Sequence, residues 1–309
     1  MWNVKDIEWI DIESTSFCNI DCPGCFRQIK KDKVQHILND QYLTFDQLSS
    51  WITLKNFPNL NLLNFCGSID EPTIHPEIIQ IVDHFSNLCS INISSNGSTK
   101  TADFWKTLGS YGISVFFGID GIDQQSLEKY RIGSNFKKVQ KNWRAFIEAG
   151  GKATWQFIAF DHNEHLVDTA RHIAQLEGFE NFRLIYSHRE DNQESKTQIK
   201  EEESVIVCKY ANQKRVFISH TGVMLPCCFL NSEFLQDHAL GHMTDFNIMR
   251  RNAGGALADS LIYNSPDEII DGDIFKNVVK SWNKKPLKRC WMTCKKSKQD
   301  VFIDERLAC

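Results

Sequence analysis

Residues 113–121, ISVFFGIDG, form a nearly unbroken apolar run. A run of this kind fits a strand covered on both faces, as in a parallel sheet. Comparable runs recur at 7–14 (IEWIDIES), 60–67 (LNLLNFCG), 89–97 (CSINISSNG), 153–160 (ATWQFIAF) and 181–187 (NFRLIYS). Between them the pattern turns helical at 44–55, 76–86, 101–109, 136–149 and 163–177. Pro76 is expected in the first turn of its helix, and Gly150 and Gly151 close the one at 136–149. Strands that alternate with helices predict an α/β fold with a parallel sheet and right-handed crossovers.

The pattern breaks near residue 188. HREDNQESKTQIKEEES (188–204) is polar and charged, which is the character of a solvated linker. Beyond it the signals are short strands and turns: RVFISH at 215–220, a Thr-Gly turn at 221–222, then VMLPCC. The expected division is 1–190, a linker at 191–204, and a smaller unit at 205–309.

Composition narrows the function. With 11% aromatic residues the chain is not of the disordered class. A net charge of −4 without a basic block speaks against nucleic acid as the main partner. The start, MWNVKDIEWIDIES, lacks the apolar run of a signal peptide, and no stretch approaches a membrane span, so the expected location is cytoplasmic. Eleven cysteines in that compartment point to metal binding or catalysis rather than disulfides.

The cysteines fall into two clusters. Cys18, Cys22 and Cys25 lie within SFCNIDCPGCFRQ, and no fourth cysteine follows for forty positions. A structural zinc takes four ligands, and a ferredoxin run supplies four thiolates. Three thiolates instead hold three irons of a cubane and leave one open to substrate or cofactor. The second cluster is Cys208, Cys227, Cys228, Cys290 and Cys294. Cys66 and Cys89 sit on expected strands and read as small buried hydrophobes. Cys309 reads as a tail thiol, and His162, His165, His238 and His242 show no metal spacing.

CNIDCPGC on the loop after a first strand resembles the cluster motif of the radical S-adenosylmethionine superfamily. FCGSIDEPTIHPE (65–77) resembles its second-strand motif, which holds the methionine amino group, and ISSNG (93–97) its third-strand motif. FGIDGID followed by YRIGSNF resembles the fourth-strand stretch of the peptide- and protein-modifying branch, with Gly118 where a serine usually stands. FIAFDHNEH (157–165) is similar to the fifth-strand region with its asparagine. Cys208, Gly222 and Cys227 fit the opening pattern of the C-terminal extensions called SPASM and twitch.

The resemblance implies a partial six-stranded TIM-like (β/α) barrel with a small α+β twitch-like unit. It implies S-adenosylmethionine and a [4Fe–4S] cluster on Cys18, Cys22 and Cys25. A second, auxiliary [4Fe–4S] cluster would sit on Cys208, Cys227, Cys290 and Cys294; structural zinc is the alternative there, and Cys228 rivals Cys227. Gly67, Ser68, Asp70 or Glu71 would meet the amino group, with Ser94, Asn96, Gly118 and Asn163 near the cofactor. Arg131 would meet the cofactor carboxylate or stay at the surface. Gly24 replaces a customary aromatic residue, so Phe26 or its backbone would take over part of adenine packing. Asp120 is either an active-site acid or a core-edge carboxylate, Asn163 either a cofactor contact or a helix cap, and Cys228 a potential hydrogen donor. The implied activity is reductive cleavage of S-adenosylmethionine to a 5′-deoxyadenosyl radical, which takes a hydrogen from a peptide, a protein or a small molecule. The one-electron donor would be a flavodoxin or ferredoxin. A dehydrogenase of a sugar-like alcohol and a non-catalytic iron–sulfur scaffold are the alternatives.

Overall fold

A computed structural model describes residues 2–29, 38, 41–186, 204–240 and 243–297. The expected linker at 191–204, apart from Ser204, and the tail with Cys309 lie outside the described residues.

Six strands alternate with helices as the pattern demands. They are β1 (Trp9–Ile12), β2 (Leu62–Phe65), β3 (Ser90–Ser95), β4 (Ser114–Gly118), β5 (Lys152–Ala159) and β6 (Asn181–Tyr186). All neighbours among them pair in parallel, in the order β6-β5-β4-β3-β2-β1. Beyond the linker come β7 (Ser204–Ile206), β8 (Arg215–Ile218), β9 (Met224–Leu225) and β10 (Lys295–Ser297). β8 extends the main sheet by pairing in parallel with β1, and β9 turns back antiparallel on β8. The eight-stranded sheet is open, since β6 and β9 do not pair among the described residues. The C-terminal stretch therefore shares the main sheet, and its Val216, Phe217, Leu230 and Phe275 join the main core.

The helix Phe136–Glu148 illustrates the local logic. The Asn135 side chain accepts the Lys138 N–H at 2.9 Å and caps its start. Val139, Trp143 and Phe146, spaced along one face, are buried. Gly150, at φ +96°, ends it through an N–H bond to the Ile147 carbonyl. The buried face packs aromatic on aromatic: the ring centroids of Trp143 and Trp155 are 5.4 Å apart, and those of Phe146 and Phe117 are 5.7 Å apart. Truncating Trp143 to alanine would cost about 3–5 kcal/mol.

Two expectations shift. The second helix is Ile78–Phe85 with Glu77 at its N-cap, so Pro76 precedes it instead of forming its first turn. His75 Nδ1 accepts the Glu77 N–H at 3.1 Å, and a separate short turn occupies Pro72–Ile74. The C-terminal region is mostly helical, at Cys228–Leu240, Asp245–Asn252, Pro266–Ile270, Asp273–Ser281 and Lys288–Cys294, where short strands and turns were expected. In the first of these, Leu230, Asn231, Glu233 and Leu235 are all buried, so polar and apolar positions alike face the interior and no clean stripe marks the helix. Among the described residues no helix is long and apolar enough to cross a membrane.

Candidate active site

The carboxyl ends of the strands open into a cavity of about 410 Å³. Cys18, Cys22 and Cys25 lie on its wall with Gly67, Ser68, Asp70, Glu71, Ser94, Asn96, Gly118, Arg131 and Cys228. Parallel strands place their loops on one face, which is why motifs far apart in sequence meet here.

The cysteine loop is held from several sides. The Cys25 N–H bonds the Cys22 carbonyl at 3.0 Å, and the Asp21 N–H bonds the Ile132 carbonyl at 2.9 Å. Asn19 donates to Ser98 Oγ at 2.8 Å and accepts from Asn96 Nδ2 at 3.0 Å, which ties the loop to the end of β3. Ile20, Tyr130 and Phe160 pack around the three thiols as a small apolar shell. Burial pushes the Cys18 thiol up to about 11.

The β2 end is a cluster of carboxylates. Gly67 has φ +61°, and a Cβ there would lie 2.8 Å from the Ser94 carbonyl oxygen, so glycine is required for the close approach of β3. Glu71 is spoken for. Its Oε1 accepts from Ser95 Oγ at 2.7 Å and Thr73 Oγ1 at 2.6 Å, and its Oε2 accepts the Asn96 N–H at 2.6 Å. Glu71 thus straps β2 to β3. Asp70 sits beside Glu13, whose carboxylate accepts the Ser68 N–H at 3.1 Å. Burial and the neighbouring Glu13 hold the Asp70 carboxyl well above the usual range.

The β4 end is built around Arg131. Its Nε donates to Asp120 Oδ2 at 2.6 Å, and Asp120 Oδ1 accepts the Ile158 N–H at 2.8 Å. Burial opposes the charge on Arg131, but Asp120 outweighs it and the guanidinium is held above its ordinary value. A Cβ at Gly118 would stand 2.7 Å from an Arg131 terminal nitrogen; the missing side chain is the space that the guanidinium fills.

Three expected site residues stand behind the wall rather than on it. Asp120 is fully buried against Arg131. Asn163 occupies an N-cap position but makes no capping bond; its Nδ2 donates to the Asp120 carbonyl at 2.9 Å and its Oδ1 accepts the Phe160 N–H at 2.7 Å. Phe26 packs with Leu38, Ile69 and Leu235. The wall also holds residues that the motifs do not mark: Asp11, Asn64, Asn92, Gln156, Arg183, Tyr210 and Arg215. For all but Tyr210, which sits on the short helix Lys209–Asn212, the only signal was strand alternation, which turns every second residue inward.

A second, much smaller pocket, about 10 Å³, lies in the C-terminal region. Cys208, Cys227, Cys290 and Cys294 all line it, among Trp2, Ile206, Val278 and Trp282. Cys290 and Cys294 are four apart on one helix and share a face. β7 pairs with β10, and the Val207 N–H bonds the Cys294 carbonyl at 3.0 Å, which draws Cys208 in. Gly222, at φ +77°, makes the β8–β9 turn that delivers Cys227; a Cβ there would lie 2.9 Å from the Trp51 ring. Cys228, one residue on, lines the large cavity instead. Burial pushes Cys208 up to about 11, Cys290 to about 12 and Cys227 well above its ordinary value. Thiols this buried ionise only beside strong positive charge, which iron or zinc provides. Among the described residues no three His, Cys, Asp or Glu side chains already converge tightly enough to hold a metal ion; the thiols meet on pocket walls. By donor type and placement the trio fits an open iron–sulfur cubane and the quartet a closed four-thiolate site.

The comparisons agree with this geometry. The chain is 30% identical over 116 residues to the tungsten-containing aldehyde ferredoxin oxidoreductase cofactor-modifying protein of Pyrococcus furiosus. That match covers 37% of this chain and 31% of the relative, so the chain spans under a third of the relative's length. The fold is similar to that of anSMEcpe with bound AdoMet, at a TM-score of 0.54 and 12% identity, over 90% of this chain and 81% of that one. It is also similar to anSMEcpe with bound AdoMet and the Cp18Cys peptide, at a TM-score of 0.51 and 12% identity, over 88% and 81%. The profile of the Radical SAM superfamily matches residues 12–176, the stretch that carries the cysteine loop and the strand ends around the cavity, and the chain belongs to that superfamily.

Proposed function

We propose that the chain is an enzyme that cleaves S-adenosylmethionine reductively and uses the resulting radical to modify or oxidise a peptide or protein. One observation carries the reading: Cys18, Cys22 and Cys25 share a single cavity wall with the ends of β2, β3 and β4. When bound there, a [4Fe–4S] cluster supplies one electron to S-adenosylmethionine, and the 5′-deoxyadenosyl radical takes a hydrogen atom from substrate.

The chain's own residues position and protect. Asp70, with Glu13 behind it, offers carboxyl oxygens to the methionine amino group, while Glu71 fixes the two strand ends between which the cofactor lies. Arg131 offers its guanidinium to the methionine carboxylate, and Asp120 and Asn163 hold Arg131 and its loop in place. Asp120 is on this reading a positioning residue. Ile20, Tyr130 and Phe160 keep water from the thiols. Ser94 and Asn96 line the β3 side of the cofactor, and Phe26 supports the loop from behind.

The region 205–309 is assigned as an auxiliary unit in which Cys208, Cys227, Cys290 and Cys294 hold a second [4Fe–4S] cluster that accepts the substrate's electron. Cys228, which lines the cavity, is on this reading the hydrogen donor to substrate. A flavodoxin or ferredoxin is the fitting electron donor. The peptide-bound form of anSMEcpe supports a peptide or protein substrate.

The test is anaerobic reconstitution followed by dithionite reduction. We expect iron and sulfide for two cubanes and formation of 5′-deoxyadenosine. Iron for one cubane with zinc in the remainder would reject the auxiliary cluster, and absence of 5′-deoxyadenosine would reject the enzyme.

A further inference from the structure

The small thiol pocket is walled mostly by apolar side chains. Pro226, Phe229, Leu230 and Val278 line it with Trp2 and Trp282. Arg289 on the same wall is paired with Glu233 at 2.6 Å. Such surroundings disfavour a site that takes up an electron, because little is there to solvate the added negative charge. Hydrogen bonds to the sulfurs relieve that cost.

The two tryptophans spend their indole N–H groups differently. Trp2 Nε1 donates to the Arg215 carbonyl at 2.6 Å. Trp282 Nε1 is also buried, yet it meets no acceptor in ordinary hydrogen-bond geometry among the described residues. An indole nitrogen can only donate, and a buried donor left unused costs stability. The group that Trp282 serves is a sulfur. Burial pushes the Cys290 thiol up to about 12, and the foremost influence against burial is a hydrogen bond from the Trp282 side chain. That donor favours the thiolate, which is the form that binds metal.

The indole is fixed in place. Trp282 ends the helix Asp273–Ser281, where its backbone N–H bonds the Val279 carbonyl at 3.2 Å. Its ring lies 5.9 Å from that of Trp2, which packs edge-on against Phe275 at 5.5 Å. Cys290 comes from the following helix, Lys288–Cys294. Cys208 differs from Cys290: its Sγ accepts the Ala211 N–H at 3.5 Å, a backbone donor that a side-chain substitution leaves in place.

We propose that the Trp282 indole N–H donates to the Cys290 thiolate of the metal-loaded quartet and raises the reduction potential of the auxiliary cluster. One electron added to that site makes its sulfurs better acceptors, so the bond is stronger in the reduced state and uptake of the substrate's electron becomes more favourable. Trp282 acts through Cys290 and is a positioning residue. The inference rests on the auxiliary-cluster reading above and adds what makes that site an electron acceptor.

The experiment uses reconstituted full-length protein, titrated reductively at controlled potential and followed by electron paramagnetic resonance. The signal missing from the Cys290→Ala, Cys294→Ala variant belongs to the quartet. Trp282→Phe should make reduction of the quartet about tenfold less favourable, a fall of about 59 mV for one electron. Trp2→Phe disturbs the same aromatic pair but removes an N–H that serves a backbone carbonyl, and should change the equilibrium by less than about twofold. An unchanged potential in Trp282→Phe, or an equal fall in Trp2→Phe, overturns the proposal. Wild type grown on tryptophan labelled at the indole nitrogen should show a nitrogen coupling to the reduced quartet in pulsed resonance. Absence of that coupling overturns the donor even where Trp282→Phe fails to take up iron. Zinc in the quartet in place of iron rejects the auxiliary-cluster reading and with it the effect on potential, and the donor is then judged on cobalt-loaded protein. The sulfur-to-cobalt charge-transfer band should lie at longer wavelength in Trp282→Phe than in wild type, and identical bands overturn the donor.

Discussion

The two thiol sites differ in company as much as in number. The trio of Cys18, Cys22 and Cys25 opens onto about 410 Å³ lined by carboxylates, amides and arginines. The quartet of Cys208, Cys227, Cys290 and Cys294 closes on about 10 Å³ among tryptophans and aliphatic side chains. A missing ligand with a large polar space beside it suits chemistry on a bound molecule, and a full ligand set with no space suits storage or transfer of an electron. Cys227 and Cys228 show how thin the boundary is. They are adjacent in sequence, yet one lines the small pocket and the other the large cavity.

The harshest way to break the comparison is to remove the trio. Replacing Cys18, Cys22 and Cys25 by alanine should abolish 5′-deoxyadenosine formation and remove one cubane's worth of iron, leaving the C-terminal iron in place. Retained cleavage would mean that the two sites have been assigned the wrong way round. Replacing Cys290 and Cys294 by alanine should do less. 5′-Deoxyadenosine should still form, but oxidised product per deoxyadenosine should fall, because the substrate's electron loses its acceptor. Metal binding can supply much of a small site's folding energy, so circular dichroism and N-terminal iron are measured on the same sample. A folded variant with the normal product ratio reduces the quartet to a structural support.

The trio was legible because chemistry fixes its spacing on one loop. That Cys208, Cys227, Cys290 and Cys294 gather was legible, but that Cys227 lines the small pocket and Cys228 the large cavity needed the position of the helix that starts at Cys228. The six strands were legible because burial on both faces leaves continuous apolar runs. The C-terminal helices were not, because their buried faces mix apolar residues with polar ones such as Asn231, Glu233 and Arg250. Glu13 was missed although it ends a strand that was recognised. Nothing in IEWIDIES tells which carboxylate will face Asp70, since that contact joins residues far apart in the chain. Asn92 and Gln156 belong to the same class: alternation turns them inward, but only the sheet register says what they face.

Asp120→Ala sharpens the picture of the open site through stability. Asp120 is fully buried, and Arg131 is charged and 14% exposed beside it. Removing one member of such a pair leaves an uncompensated charge and costs about 3–5 kcal/mol. Chemical denaturation should report a loss near the lower end, since Arg131 reaches some solvent. The double variant Asp120→Ala with Arg131→Met should recover a good part of it. If the single variant is as stable as wild type, the Arg131 loop is not held as described.

The smallest effect tests whether the open site stores electrostatic strain that the closed site lacks. Asp70 is held well above its ordinary 3.8, first by burial and then by Glu13, and Glu13 is raised above its ordinary 4.5 by burial. An acid whose carboxyl is raised on folding favours the folded state while it is protonated in both states. That contribution is complete below the ordinary value of 3.8 and is lost as pH climbs through the raised value. An asparagine in its place would be neutral at every pH and close to isosteric with the protonated acid. Asp70→Asn should therefore match wild type near pH 4 and gain on it steadily toward pH 8, by about 1 kcal/mol. Taking the difference between variant and wild type at each pH removes the contributions of Glu71, Glu177 and the other carboxylates. A gap that stays flat from pH 4 to pH 8 would show that the Asp70 carboxyl is not held above its ordinary value. A gap that closes when S-adenosylmethionine is added at pH 8 would place the cofactor's amino group against that pair, because a bound cation relieves in wild type the repulsion that asparagine has already removed.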